Sequence, residues 1–306
     1  MTQYLKNLKF YSFSGPASGG FSMKSTLLLL FLAITGFAAE FPTAGLILDL
    51  DAAKGLTIEN GDKVAKWRSE IQGEEPQDFI KRDQGREIPG SGRPQWRSAV
   101  AELNNRPALI FRQQELCSLD EDFFDTLSQG SGNTWIAVLS VHEQRVGLKD
   151  VNSFFGNLRN SENYEGLWGC LDDDNTPWWG GRNGQRFGRF DVNNPRLAGP
   201  QLKIGAFYLV AGRMAAGTGS VAIEFFVNNA IPSTRAIFLV NSAANPSRMA
   251  IGQERDAVDH PGKESFDGEI ARFLIWRRPL TDTELQAAVT QLVTVYGLAG
   301  VSRDLK

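Results

Sequence analysis

The sequence predicts an all-β fold: a two-sheet antiparallel jelly-roll sandwich with one C-terminal amphipathic helix packed outside. Three observations lead there. Short apolar runs alternate with polar residues and are punctuated by Gly, Asn and Asp. Helix-period stretches are few. The stretch Phe266–Leu298, "FDGEIARFLIWRRPLTDTELQAAVTQLVTVYGL", begins with strand alternation and ends with helical repetition. The 306 residues hold 31 glycines and 7 tryptophans, a composition of short strands joined by turns. Single β-sandwiches reach ~200–250 residues, so one domain can account for the chain.

The beginning of the chain is read as lying outside that domain. Residues 1–22 are polar and look like an over-extended gene start. From Met23 the chain has the three regions of a secretory signal peptide over residues 23–38: Lys24, an apolar run from Leu27 to Ile34, and Gly36 and Ala38 at the −3 and −1 places. Cleavage after Ala39 would put Phe37 at −3. The apolar run is shorter than the ~20 residues of a membrane span. Removing residues 1–38 takes away Lys6, Lys9 and Lys24 and no acid, so the formal charge moves from −3 to −6. A mildly acidic exported chain is a poor partner for nucleic acid or anionic membrane. The expectation is a secreted, periplasmic or cell-surface protein with no transmembrane segment in the mature chain, a domain over residues 40–300 and a tail at 301–306.

In chain order, Leu46, Leu48 and Leu50 alternate with Ile47, Asp49 and Asp51, as in a strand with one wet face. Asn60-Gly61 signals a turn, with Val64 and Trp67 anchoring the return. Residues 73–97 are polar and rich in Gly and Pro, and are read as a long surface loop. Ala108–Phe111 is a strand, and "DEDFFDTLSQGSGN" a short helical turn. "TWIAVLSVHE" is a buried strand, β-branched and aromatic between turn residues. The glycine-rich middle fits several short strands with long turns. "KIGAFYLVAGRM" and "VAIEFFVNNAI" are strong strands, the latter ending in a tight turn at Asn228-Asn229. "RMAIGQE" is another.

At the close, Ala271, Phe273 and Ile275 should face one side of a strand and Ile270, Leu274 and Trp276 the other. Both sets are apolar, so both faces should be covered. Pro279 ends the strand. Thr281 and Glu284 have the spacing of a capping box, and Leu285, Ala288, Val289, Leu292, Val293 and Tyr296 fall on one helical stripe. Gly297 is placed to end the helix.

These segments carry a resemblance. Phe266–Ala271, Ile275–Thr281 with Glu284, and Tyr296-Gly297-Leu298 resemble the closing motifs of the concanavalin A-like lectin/glucanase superfamily, in its laminin-G-like jelly-roll branch of exported bacterial proteins. "LDLDAAKGLTIENGDKVAKWRS", "NNRPALIF", "NTWIAVLSV", "IEFFVNN" and "RMAIGQE" are similar to its other motifs, in the family's order. The corner Trp67-Arg68-Ser69-Glu70 departs from the pattern. The resemblance spans Leu46–Leu298 and implies two antiparallel sheets packed face to face with Greek-key connections.

Because the superfamily includes glucanases, hydrolysis is weighed first. It needs two carboxylates facing the scissile bond, and retaining members present them on an E-x-D-x-x-E strand. The sequence has none. Glu224 is flanked at two residues' distance by Ala222 and Phe226. Asp267 and Glu269 alternate but fall in a motif shared with non-catalytic members, and Glu269 is read as a structural hydrogen-bonding acid at a strand start. The only histidines, His142 and His260, have no evident partner, and there is no CxxC pair and no phosphate-binding glycine loop. A non-catalytic protein is therefore expected.

The best binding candidate is Leu167–Gly184. Trp168, Trp178 and Trp179 offer faces for the apolar side of a sugar, and Asn175, Arg182 and Asn183 offer hydrogen bonds to its hydroxyls. Asp172, Asp173 and Asp174 have the oxygen chemistry of a Ca²⁺ site, an ion that some laminin-G-like members bind; no cofactor is otherwise required. The plainer alternative makes Trp178 and Trp179 core and cover residues, one on each face, and the acid triplet a solvated turn. Export permits a disulfide between Cys117 and Cys170, and two buried thiols fit equally. The functional expectation is a lectin-like domain that binds carbohydrate or a glycosylated surface. The alternatives are a divergent glycoside hydrolase or lyase of the same fold, and a structural adhesion domain that binds protein.

Overall fold

The computed structural model describes residues 40–81, 92–144, 152–159, 163–185, 194–254 and 265–298. The expected gene start, signal peptide, tail and His260 lie outside them. Among these residues the chain forms β1 (Leu46–Asp51), β2 (Leu56–Glu59), β3 (Lys63–Ser69), β4 (Gln77–Ile80), β5 (Gln95–Val100), β6 (Arg106–Arg112), β7 (Leu116–Ser118), α1 (Thr126–Gln129), β8 (Asn133–Val141), β9 (Asn152–Gly156), β10 (Glu165–Leu171), β11 (Pro177–Asn183), β12 (Arg196–Ala198), β13 (Phe207–Met214), β14 (Gly219–Val227), β15 (Thr234–Val240), β16 (Ala250–Ile251), β17 (Asp267–Trp276) and α2 (Asp282–Tyr296).

The expectation of a mostly β chain with one C-terminal helix holds. The strands do not fall into two separate hydrogen-bonded sheets. They form one antiparallel sheet, nearly closed into a barrel. A front stretch runs β12–β11–β10–β9–β16–β7–β4–β3, with β2 beside β3. A back stretch runs β6–β17–β8–β13–β14–β15, with β1 also on β17. Strand β5 joins the two through Lys63↔Gln95 and its ladder with β6. The free ends meet where Thr234 Oγ1 donates to the Ala198 carbonyl at 3.1 Å.

The core lies between the stretches. Trp67, Phe79, Leu116, Phe155, Leu167, Leu171 and Trp179 from the front meet Leu50, Trp135, Leu139, Val210, Phe225, Phe273 and Ile275 from the back. Trp135 is the hub, with ring centroids 4.8 Å from Phe155 and 5.8 Å from Trp179. Gly212 sits against both indoles, and a β-carbon there would come within 2.8 Å of Trp179.

Local expectations mostly hold. Asn60 and Gly61 both take positive φ, as does Asn228, and Val64 and Trp67 are fully buried. The segment read as one long surface loop contains strand Gln77–Ile80, whose Phe79 is buried in the core. That strand is too short to stand out in a polar stretch. In β17 a bulge between Ile270 and Arg272 puts Ile270 in the core with Phe273 and Ile275, while Ala271 joins Leu274 and Trp276 on the outer face. Strict alternation assigned Ile270 and Ala271 the other way, since one inserted residue reverses the sides of all that precede it.

Helix α2 covers the outer face of the back stretch. Thr281 Oγ1 accepts from the Glu284 amide and the Glu284 carboxylate accepts from the Thr281 amide, the expected capping box. Gly297 ends the helix at φ 70°. The stripe Leu285, Ala288, Val289, Leu292 and Tyr296 packs on Ile136, Val138, Leu209, Ala211, Leu274 and Trp276. No helix among the described residues is long and apolar enough to cross a membrane.

Candidate functional site

The segment singled out in the sequence folds into the β10–β11 hairpin at the end of the front stretch, with Cys170 opposite Trp178, Gly169 opposite Trp179 and Trp168 opposite Gly180. Side chains on a strand alternate between faces, and the three tryptophans divide accordingly. Trp179 points into the core, where its Nε1 donates to the Glu224 carbonyl at 3.1 Å. Its expected role as a sugar platform gives way to packing. Trp168 and Trp178 stand on the outer face with Leu158 and Cys170. The three do not line one groove. The alternative of one adjacent tryptophan on each face is what the hairpin adopts.

On that outer face the indoles alternate with guanidinium groups. Arg182 lies over Trp168 at 4.9 Å, Trp168 meets Trp178 edge-on at 5.1 Å, and Arg196 lies over Trp178 at 5.0 Å. Arg196 also pairs with Asp172. Trp168 is 3% exposed and Trp178 0%, so neither offers an open face. Asn183 is buried in local turns: its amide donates to Asn194 Oδ1 at 3.1 Å and its carbonyl accepts from Asn241 Nδ2 at 2.8 Å.

The acid triplet makes the hairpin turn. The Asp172 amide donates to the Thr176 carbonyl and the Asn175 amide to the Asp172 carbonyl. Asp174 Oδ1 accepts from the Thr176 amide at 2.9 Å, and Thr176 holds the Asp174 carboxyl below its ordinary pKa. Asn175 supplies the left-handed residue at φ 67°. The three carboxylates do not converge: Asp172 turns to Arg196 and Asp174 to its own backbone. No group of three His, Cys, Asp or Glu side chains among the described residues is arranged to hold a metal ion.

Asp173, Asp174 and Asn175 nevertheless share a cleft. It measures about 570 Å³ and is completed by Glu143, Gln201, Leu202, Lys203 and Ile204. Gln201 Nε2 donates to the Asp174 carbonyl at 2.6 Å and the Leu202 amide to the Asn175 carbonyl at 3.0 Å, which fixes the second wall against the first. Ile204 is 61% exposed, an apolar surface at the rim. Sequence reasoning missed these partners. They come from the irregular segment before β13, and no spacing links that segment to the hairpin.

The cysteines are not bonded to each other. Cys117 on β7 is separated from Cys170 on β10 by β16 and β9. Three strand spacings are roughly 14 Å, well beyond the ~7 Å between Cα atoms that a disulfide can span. Burial pushes the Cys170 thiol well above its ordinary pKa.

The other acids considered for catalysis are engaged. Glu224 receives Arg213 Nε at 2.7 Å and Arg235 Nε at 2.8 Å. Glu269 is buried and receives Arg97 Nη1 at 2.7 and 2.8 Å, with His142 Nε2 at 3.4 Å. Glu269 is structural, as expected, and its partners are side chains. His142, for which the sequence shows no partner, has this one.

No protein-family model matches the chain, and no curated protein matches it. Solved structures do. Residues covering 84% of this chain resemble a Trypanosoma rangeli sialidase in complex with sialic acid, with TM-score 0.53 and 15% identity. The same sialidase with the inhibitor DANA gives 0.51 over 82% of the chain, at 15% identity. This chain spans only 34% and 33% of those proteins' own length. Domain 4 of an extracellular arabinanase from Geobacillus stearothermophilus, in complex with arabinotriose, matches over 81% of this chain and 97% of that domain at 14% identity, with the lower TM-score of 0.47. At such identities the likeness is one of fold.

Proposed function

We propose that this protein is an exported, non-catalytic, lectin-like domain that binds carbohydrate or a glycosylated surface, and that its fold is a divergent concanavalin A-like jelly roll. The two stretches of the sheet face each other across one core, as the layers of such a sandwich do. The carrying observation is the cleft at the β10–β11 turn. Its carboxylates, amides and ammonium match the donors and acceptors of sugar hydroxyls, and Ile204 offers a surface for sugar C–H groups. Its size falls in the ~300–1,000 Å³ range of small-molecule sites. The buried tryptophans then serve as scaffold for the turn. Likeness to part of a sialidase is consistent in fold and says nothing of this chain's ligand.

A glycan array tests the reading. Wild-type protein should retain a defined glycan class, and Gln201→Ala should lose it with an unchanged unfolding curve. Folded wild-type protein that binds no glycan would reject the proposal in favour of a protein-binding adhesion role. Binding should need no cofactor; a thermal shift with Ca²⁺, or binding abolished by a chelator, would reverse that point. The second reading, a divergent hydrolase, draws on Glu143 and Asp173 sharing the cleft. Turnover on a polysaccharide panel would establish it.

A further inference from the structure

We infer that the cleft at the β10–β11 turn selects an amino sugar with a free primary amine over neutral or anionic sugars. This rests on the carbohydrate-binding reading above and adds the ligand class. The lining carries three carboxylates, Glu143, Asp173 and Asp174, against one ammonium, Lys203. Arg196, the guanidinium beside the turn, is paired with Asp172.

The second observation is Asn175. Its residue is only 5% exposed, it lines the cleft, and its side-chain Oδ1 is buried without a hydrogen-bond partner. A buried acceptor without a donor is rare in a folded protein. Here it sits between Asp174 and the wall formed by Gln201 and Leu202, held by backbone bonds on both sides.

Acceptors therefore dominate the site. An ammonium group brings three donors and no acceptor. Its bonds to carboxylate are charge-assisted, roughly twice as strong as those of a neutral hydroxyl. A sugar carboxylate would meet like charge instead. A non-sugar amine satisfies the charge but leaves Gln201 and Ile204 unused.

Calorimetry on the full chain separates these cases, using a β-1,4-linked glucosamine tetramer, its fully N-acetylated form, cellotetraose and spermidine. The glucosamine tetramer should bind about tenfold tighter than either neutral tetramer. The doubly substituted Asp173→Asn, Asp174→Asn protein should lose that preference and keep the neutral affinity. Asn at 174 can still accept from Thr176, so the turn is retained. Asn175→Gly keeps the left-handed backbone, removes the amide oxygen and should weaken the glucosamine tetramer most. Neutral tetramers that bind as tightly as the amine would overturn the selectivity and leave the carbohydrate reading standing. Spermidine binding as tightly as the glucosamine tetramer would overturn it as well, by showing that charge alone is read. If no tetramer and no arrayed glycan binds, the carbohydrate reading falls and this inference with it.

Discussion

The sheet has two outer faces, and they hide their apolar side chains by different means. Over β17, β8 and β13 the cover is a helix, whose aliphatic stripe packs on Trp276, Leu274 and Val138. Over β10 and β11 the outward tryptophans are covered in part by arginines, stacked guanidinium on indole. The first cover is continuous in sequence. The second is assembled from residues that meet only once three strands are in register. A helix needs only apolar contact, whereas a guanidinium cover also needs its charge balanced, as Asp172 does for Arg196.

Truncations probe this difference. Trp276→Ala should have the largest effect, a loss of about 4 kcal/mol in denaturant unfolding. It removes a fully buried indole whose Nε1 donates to the Pro42 carbonyl at 2.9 Å. Leu292→Ala, under the helix, should cost about 3 kcal/mol, with little dependence on salt. Arg196→Ala on the other face should cost only about 1–2 kcal/mol. That cost should shrink as salt is raised, and Arg196→Lys should not restore it, because an ammonium cannot stack flat on Trp178 while bonding Asp172. An Arg196→Ala loss equal to that of Leu292→Ala would end the distinction between the covers.

The helix cap gives the smaller effects. Thr281→Ala should cost about 1 kcal/mol. The Arg278 guanidinium, then the Thr281 amide, push the Glu284 carboxyl down from 4.5 to about 2. A depressed carboxylate contributes stability above its unfolded pKa and loses it as pH falls through the folded one. The loss should therefore appear between about pH 4.5 and about pH 2. Arg278 and Glu284 are both partly exposed, so it should be modest and salt-sensitive. Glu284→Gln should flatten that part of an acid titration followed by circular dichroism.

The helix was legible in the sequence because its signals are local: a capping box, a 3.6-residue stripe and a terminal glycine lie within one short stretch. The strong strands were legible for the same reason. The faces of Trp178 and Trp179 could be read as opposite, yet which was inner depends on the register of β11 against β10 and β12. The bulge in β17 left no local mark, and so Ile270 and Ala271 were assigned to each other's faces. The candidate cleft was half visible. Asp173, Asp174 and Asn175 stood out as a polar turn, while Gln201, Lys203 and Ile204 come from a segment without periodicity. Arg97 and His142 at Glu269 were hidden similarly, since both partners are brought in by other strands.

The pairing of β1 with β17 bears on how the polypeptide acquires its form. Leu48 lies opposite Ile275 and Leu50 opposite Phe273, so the first strand waits for nearly the last. Closing so wide a loop costs entropy before any contact repays it. During synthesis the early hydrophobic strand must stay unpaired until residues near the C-terminus emerge. A ribosome-bound chain stopped before β17 would lack the partner of β1, β6 and β8 alike.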